Sequence, residues 1–172
     1  MQCGILGSCQ NTIYMKLLSA EKIRQLDQLT IEKEPISSLD LMERAARTFV
    51  HWFTALFPDD ATRVYVTCGT GNNGGDGLAI ARLLHQKFYE VEVYLCHVGD
   101  LSPDARTNLE RLREIEVIPI HTIQPDHPLN LPAAEKGVLI DGLFGSGLNR
   151  PVEGYWKELI GVINGLPLTR VS

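Results

Sequence analysis

The sequence predicts an α/β fold, a parallel sheet covered by helices and joined by right-handed crossovers. Three observations carry that prediction. Apolar runs of strand type at Arg63–Cys68, Val91–Cys96 and Gly137–Asp141 are separated by segments of helical period. The first run passes through Gly69, Gly71, Gly74, Gly75 and Gly77 into the apolar-periodic stretch Leu78–Leu84, which reads as strand, tight glycine loop, helix. The length, 172 residues, suits one domain able to bury about 70% of its unfolded surface.

Taken in order, residues 1–14 lack the basic start and continuous apolar core of a signal peptide, and are expected to form a poorly ordered tail. Met15 is the more natural beginning. Ser19 suits the N-cap of a modest helix whose Ile23, Leu26 and Leu29 recur on one face and are expected to pack, leaving Asp27 as a solvated surface residue. A longer helix, from about Leu39 to Phe57 and capped by Ser38 or Asp40, carries a broad apolar face from Leu41 and Met42 to Phe53 and Leu56. That face is core or subunit interface. Pro58 stops it.

After the glycine loop and its helix comes the strand Val91–Cys96, then a polar helix opening at Leu101 with Pro103 at its first position and running to about Ile115. A short strand is expected at Val117–Ile120. His121 and His127 then fall in a proline-rich irregular stretch without a neighbouring cysteine, where exposed loop histidines are a better reading than a zinc site. The run Gly137–Asp141 ends on an acid, Trp156–Ile163 is helical, and Arg170–Ser172 read as the first residues of a further element.

Composition narrows the function. A net charge of −5 supplies no basic surplus for nucleic acid, and no stretch is long and apolar enough to span a membrane. Cys3, Cys9, Cys68 and Cys96 form no C-x-x-C, which fits a reducing, cytoplasmic setting.

The glycine loop is the centre of the chemistry. Gly69-Thr-Gly71-Asn-Asn-Gly74 matches the dinucleotide pattern G-x-G-x-x-G. Yet Asp76, in or beside the first helical turn, would repel a pyrophosphate seated there, and Val91–Cys96 ends without the acid that would hold a ribose. The pattern points away from the usual NAD pose. In an open parallel sheet, ligands bind beyond the carboxyl ends of the strands. The loops after Cys68 and Ile140 leave from that edge; if their strands are neighbours, Asn72, Asn73, Asp76, Asp141, Asn149 and Arg150 face one crevice.

A carboxylate at the depth of Asp141 needs a partner. With the side-chain oxygen of Asn73 and backbone carbonyls it makes an oxygen-only cage for a hard cation; a structural carboxylate accepting loop N–H groups and a general base are the alternatives. Arg150 can clasp a phosphate in bidentate fashion or stand as a surface arginine, and Gly145, Ser146 and Gly147 offer close amides.

Four segments, LMERAA at Leu41–Ala46, VTCGTGNNGGDGLAIARLL at Val66–Leu84, VEVYL at Val91–Leu95 and LIDGLFGSGLNRPVEG at Leu139–Gly154, closely resemble the YjeF N-terminal domain family of NAD(P)H-hydrate epimerases. The resemblance spans Met15–Ser172. It implies a three-layer α/β/α Rossmann-like fold, a homodimer, and interconversion of the R and S epimers of hydrated NADH and NADPH for a companion or fused dehydratase. It further implies that Asn72, Asn73, Gly74, Gly75 and Asp76 hold the hydrated nucleotide. Gly145, Ser146, Gly147, Leu148, Asn149, Arg150 and Pro151 would embrace its phosphates, and Asn73 and Asp141 would ligate a potassium ion. Two departures stand out: Arg44 where the family usually has Asn, and the absence before Ser172 of the family's D-x-PSG segment, so that the domain at 15–172 is expected to be incomplete and its general base to lie elsewhere. A non-catalytic nucleotide-binding or scaffold module is the alternative function. A magnesium-dependent phosphosugar enzyme would need a second carboxylate near Asp141, for which Asp76 is the candidate.

Overall fold

The computed structural model describes residues 18–96, 99–125, 136–145, 148 and 151–172. In chain order the described elements are α1 (Ala20–Lys33), α2 (Ser38–Leu56), β1 (Arg63–Cys68), α3 (Asn72–His85), β2 (Glu90–Cys96), α4 (Pro103–Arg113), β3 (Ile120–Ile123), β4 (Val138–Gly142), α5 (Tyr155–Gly165) and β5 (Thr169–Val171). The strands form one parallel sheet in the order β3-β2-β1-β4-β5. The expected α/β class is the observed one.

Period-two alternation builds the layers. Val64, Val66, Val93 and Ile140 point to one face, where they pack with Phe53 of α2, Leu78 of α3 and Leu112 of α4. Tyr65, Tyr94 and Leu139 point to the other, against Leu159 and Ile163 of α5. Helices thus lie on both sides of the sheet in a three-layer, Rossmann-like arrangement. Each fully buried large apolar side chain contributes on the order of 2 kcal/mol.

Local chemistry sets the helix starts. Ser37 Oγ accepts the Asp40 N–H at 3.0 Å, so α2 is capped one residue before the expected cap. Ser102 caps α4 by accepting the Ala105 N–H at 3.3 Å, with Pro103 at N1 as expected.

Four expectations change. First, α3 begins at Asn72 rather than after the glycines, so Asn72–Gly77 are helical and Asp76 lies in the second turn. Packing overrides the poor helix propensity of glycine here. A Cβ on Gly74 would stand 1.9 Å from the Gly69 carbonyl oxygen, on Gly75 2.9 Å from Met42 Sδ, and on Gly77 2.9 Å from Cys68 Sγ. The glycines bring α3 down onto β1 and α2.

Second, the third strand is Ile120–Ile123, not Val117–Ile120. Pro119 has no N–H to give; its carbonyl accepts the Val93 N–H at 2.9 Å and the ladder starts at the next residue. His121 is therefore a strand residue, 3.4 Å by Nε2 from the Glu92 carboxylate, while His127 lies outside the described residues. Third, α1 is capped by Ser19 as expected but buries no side chain, and Ile23, Leu26 and Leu29 stay 41–49% exposed. Fourth, the apolar face of α2 divides: Met42, Ala46, Val50 and Phe53 are buried, whereas Trp52 and Leu56 are exposed.

Candidate active site

The strand order reverses between β1 and β4, where one crossover runs towards β2 and the other towards β5. Such a switch point opens a crevice at the carboxyl ends of the two strands. The register there pairs Thr67 with Asp141 and Cys68 with Gly142. Asn73 and Asp141, proposed from sequence to share a site, are indeed brought to one place.

Two glycines permit the approach. A Cβ on Gly69 would meet the Leu143 carbonyl oxygen at 2.1 Å, and one on Gly142 would lie 2.9 Å from the Thr67 oxygen and 3.2 Å from that of Asn73. The Gly69 N–H donates to the Gly142 carbonyl at 3.0 Å, closing the floor. Across it, Asn73 Nδ2 donates to the Phe144 carbonyl at 3.0 Å.

Asp141 Oδ1 accepts the Leu143 N–H at 3.0 Å, with Thr67 Oγ1 at 3.5 Å. The carboxylate thus orders its own loop, as the structural alternative required, while remaining part of the crevice wall. That wall encloses about 240 Å³ and includes Asn73, Asp76, Gly77, Ile140, Asp141 and Gly142.

The donor set fits a hard cation. The Asn73 amide nitrogen is engaged by Phe144, which leaves its oxygen as the acceptor beside Gly145. Among the described residues no three of His, Cys, Asp or Glu are placed to hold a metal ion. A cation here would be held by amide and carbonyl oxygens beside one carboxylate, a set suited to a weakly charged ion.

Asp76 also reaches a second cavity, of about 460 Å³, between α1, α2 and the first turns of α3. Burial first, and then the Asp27 and Asp104 carboxylates, push its carboxyl up to about 6. At the strand ends, burial raises Cys68 well above the usual thiol range and Cys96 to about 12, so both are inert apolar fillers.

Of the loop expected to hold phosphates, Gly145 is described, where an added Cβ would stand 3.1 Å from Asn73 Cβ, and Leu148 and Pro151 are exposed. Ser146, Gly147, Asn149 and Arg150 lie outside the described residues. Sequence reasoning did not single out Thr67, whose polar side chain in an apolar strand is the one available signal, or Phe144, which meets Asn73 through its backbone carbonyl while its ring packs on Trp156.

A family model, YjeF-related protein N-terminus, matches residues 38–172. The chain belongs to that family. Among relatives, the NAD(P)H-hydrate epimerase of Rhodobacter capsulatus is 35% identical over 147 residues, covering 81% of this chain and 66% of the relative. The NAD(P)H-hydrate epimerase of Limosilactobacillus reuteri is 35% identical over 161 residues, covering 91% and 71%. The bifunctional NAD(P)H-hydrate repair enzyme Nnr of Thermofilum pendens is 33% identical over 155 residues, covering 88% of this chain and 29% of that protein. The chain therefore spans about two thirds of the length of the epimerases it matches.

The crystal structure of yeast ynu0, YNL200c, superposes with a TM-score of 0.68 at 22% identity, covering 91% of this chain and 70% of the yeast one. It supports the fold. The family match includes both edges of the crevice, so the YjeF-related assignment and the β1/β4 switch point coincide on the same residues.

Proposed function

We propose that this chain carries an NAD(P)H-hydrate epimerase site, interconverting the R and S epimers of hydrated NADH and NADPH. The observation that carries the reading is the meeting of Asn73 and Asp141 at the β1/β4 switch point in a chain similar to epimerases by name over most of its length. Nucleotide repair is the process it would serve, by isomerisation and without net redox change.

Asn72–Asp76 would hold the hydrated nucleotide, and Gly145–Pro151 its phosphates. Asn73 and Asp141 would hold a potassium ion, which would supply fixed positive charge near the bound anion. Asp141, committed to the Leu143 N–H and to that ion, would act as an electrostatic organiser. Asn73 orients the two loops against each other.

A homodimer is part of the proposal, and the exposed Trp52 and Leu56 on α2 support it. A dehydratase, fused as the name of the Thermofilum repair enzyme suggests or separate, would consume the S epimer. No described helix is long and apolar enough to cross a membrane, which is compatible with a cytoplasmic setting.

The test adds the protein to a mixture of R and S hydrated NADH with an S-specific dehydratase and follows NADH absorbance. Full conversion at a rate proportional to protein concentration is expected. Consumption of the R epimer at the spontaneous rate only would overturn the assignment.

A further inference from the structure

The crevice at Asn73 and Asp141 is small, about 240 Å³, and apart from Asp76 and Ser172 the rest of its lining is apolar side chains and glycine. Beside it, sharing Asp76 as a common wall, lies the cavity of about 460 Å³ beneath α1. That volume is within the range of small-molecule sites. Its lining is amphipathic: Leu41 and Met42 make an apolar floor, Gln28 and Asn72 offer amides, and Asp27 of α1 and Asp76 of α3 enter from different walls. A flat, weakly polar ring with a carboxamide and a hydroxyl matches this lining better than a phosphate, which would meet two carboxylates against the single cation Arg24.

We propose that the cavity between α1, α2 and the start of α3 is the subsite for the reacting ring, with Asp76 and Asp27 as its proton-transfer pair. This rests on the epimerase reading above. The hydroxyl-bearing C6 of the hydrated ring is bonded to the ring nitrogen N1. One carboxyl gives its proton to the C6 hydroxyl, the C6–O bond breaks, and the N1 lone pair forms a C6=N1 iminium and water. Water then adds to the opposite face, its proton passes to the other carboxylate, and the electron pair returns to N1. Atoms and electrons balance, and a proton exchanged with solvent restores the pair.

Inversion needs an acid on one face of the ring and a base on the other, for which two carboxyls brought to one cavity by different helices are the candidates. The charged groups that face Asp76 are Asp27 from α1 and Asp104 from α4, which act on its carboxyl, and Arg24 from α1 and Asp141 from β4, which share a cavity lining with it. The elevated Asp76 carboxyl, near 6, is suited to both giving and taking a proton near neutral pH.

The experiment uses three variants of the whole chain, Asp76→Asn, Asp27→Asn and Gln28→Trp, checked for folding by circular dichroism. Gln28 is exposed on α1, so the tryptophan fills the cavity without entering the core. Each Asn variant is expected to lose about 100-fold in kcat with little change in KM. Gln28→Trp is expected to weaken hydrated NADH at least about tenfold, with ADP-ribose, which lacks the ring, bound as before. Wild-type kcat in both Asn variants would overturn the proton roles; equal effects of Gln28→Trp on both ligands, or on neither, would overturn the subsite. An inactive wild-type chain counts against the epimerase reading itself, and the two-ligand binding comparison then decides the subsite alone.

Discussion

Asn73 and Phe144 are joined by a 3.0 Å hydrogen bond from the side-chain amide of one to the backbone carbonyl of the other. They are 71 residues apart, so this one contact fastens the loop after β1 to the loop after β4. An Asn73→Asp variant removes the donor and sets a carboxylate against a carbonyl. It is expected to lose about 1–3 kcal/mol of stability, measured by urea unfolding, together with epimerase activity. Asn73→Ala should lose activity with a smaller stability change.

Asp141→Asn separates charge from architecture. An asparagine keeps an oxygen for the Leu143 N–H, so the fold should persist with a melting temperature within about 4 °C of wild type, a shift corresponding to less than about 1 kcal/mol. Activity should fall, and any difference between potassium and lithium buffers should vanish. An Asp141→Asn protein that remains fully active and potassium-sensitive would exclude the assigned cation site.

Asp76 should make the protein less stable as pH rises. Its folded carboxyl lies near 6, above the ordinary aspartate value, because burial and the Asp27 and Asp104 charges penalise ionisation. The favourable contribution of the protonated form is complete below about 4 and is lost as pH rises through about 6. Asp76→Asn should therefore stabilise at pH 8, by at most on the order of 2 kcal/mol after allowance for partial exposure, and change little at pH 4. Chemical denaturation at the two pH values measures this.

Glycine replacements should divide sharply by position. Gly74→Ala places a methyl 1.9 Å from the Gly69 carbonyl oxygen, and is expected to cost more than about 3 kcal/mol or to prevent folding. Gly161→Ala, in α5 with nothing within 4 Å, should stabilise by about 0.5–1 kcal/mol. Thermal unfolding of the two variants compares them.

The sheet was legible because its strands alternate and its helices repeat at their own period. The two loops were legible as leaving one edge, but that β1 and β4 are neighbours was only a condition of the sequence reading; the register meets it and places Asn73 and Asp141 together. The start of α3 was not legible: a run containing Gly74, Gly75 and Gly77 reads locally as a loop, and only the backbone of Gly69 and the side chains of Met42 and Cys68 explain a helix there. The role of Asp27 was equally hidden. An exposed acid on an amphipathic helix looks solvated until that helix is placed above a cavity. Nor does periodicity reveal that the Ile23, Leu26 and Leu29 stripe lacks a partner, since it reports amphipathy and not contact.

Because α1 buries no side chain, little burial energy opposes its lifting off. It is a separate local opening unit, whose amides should exchange with deuterium far sooner than those of β1 or β4. Since it forms one wall of the ring subsite, only docked molecules can grip the ring, and the observed affinity is the intrinsic one scaled by the docked fraction. Changes that fasten α1, far from any reacting atom, would tighten binding in proportion.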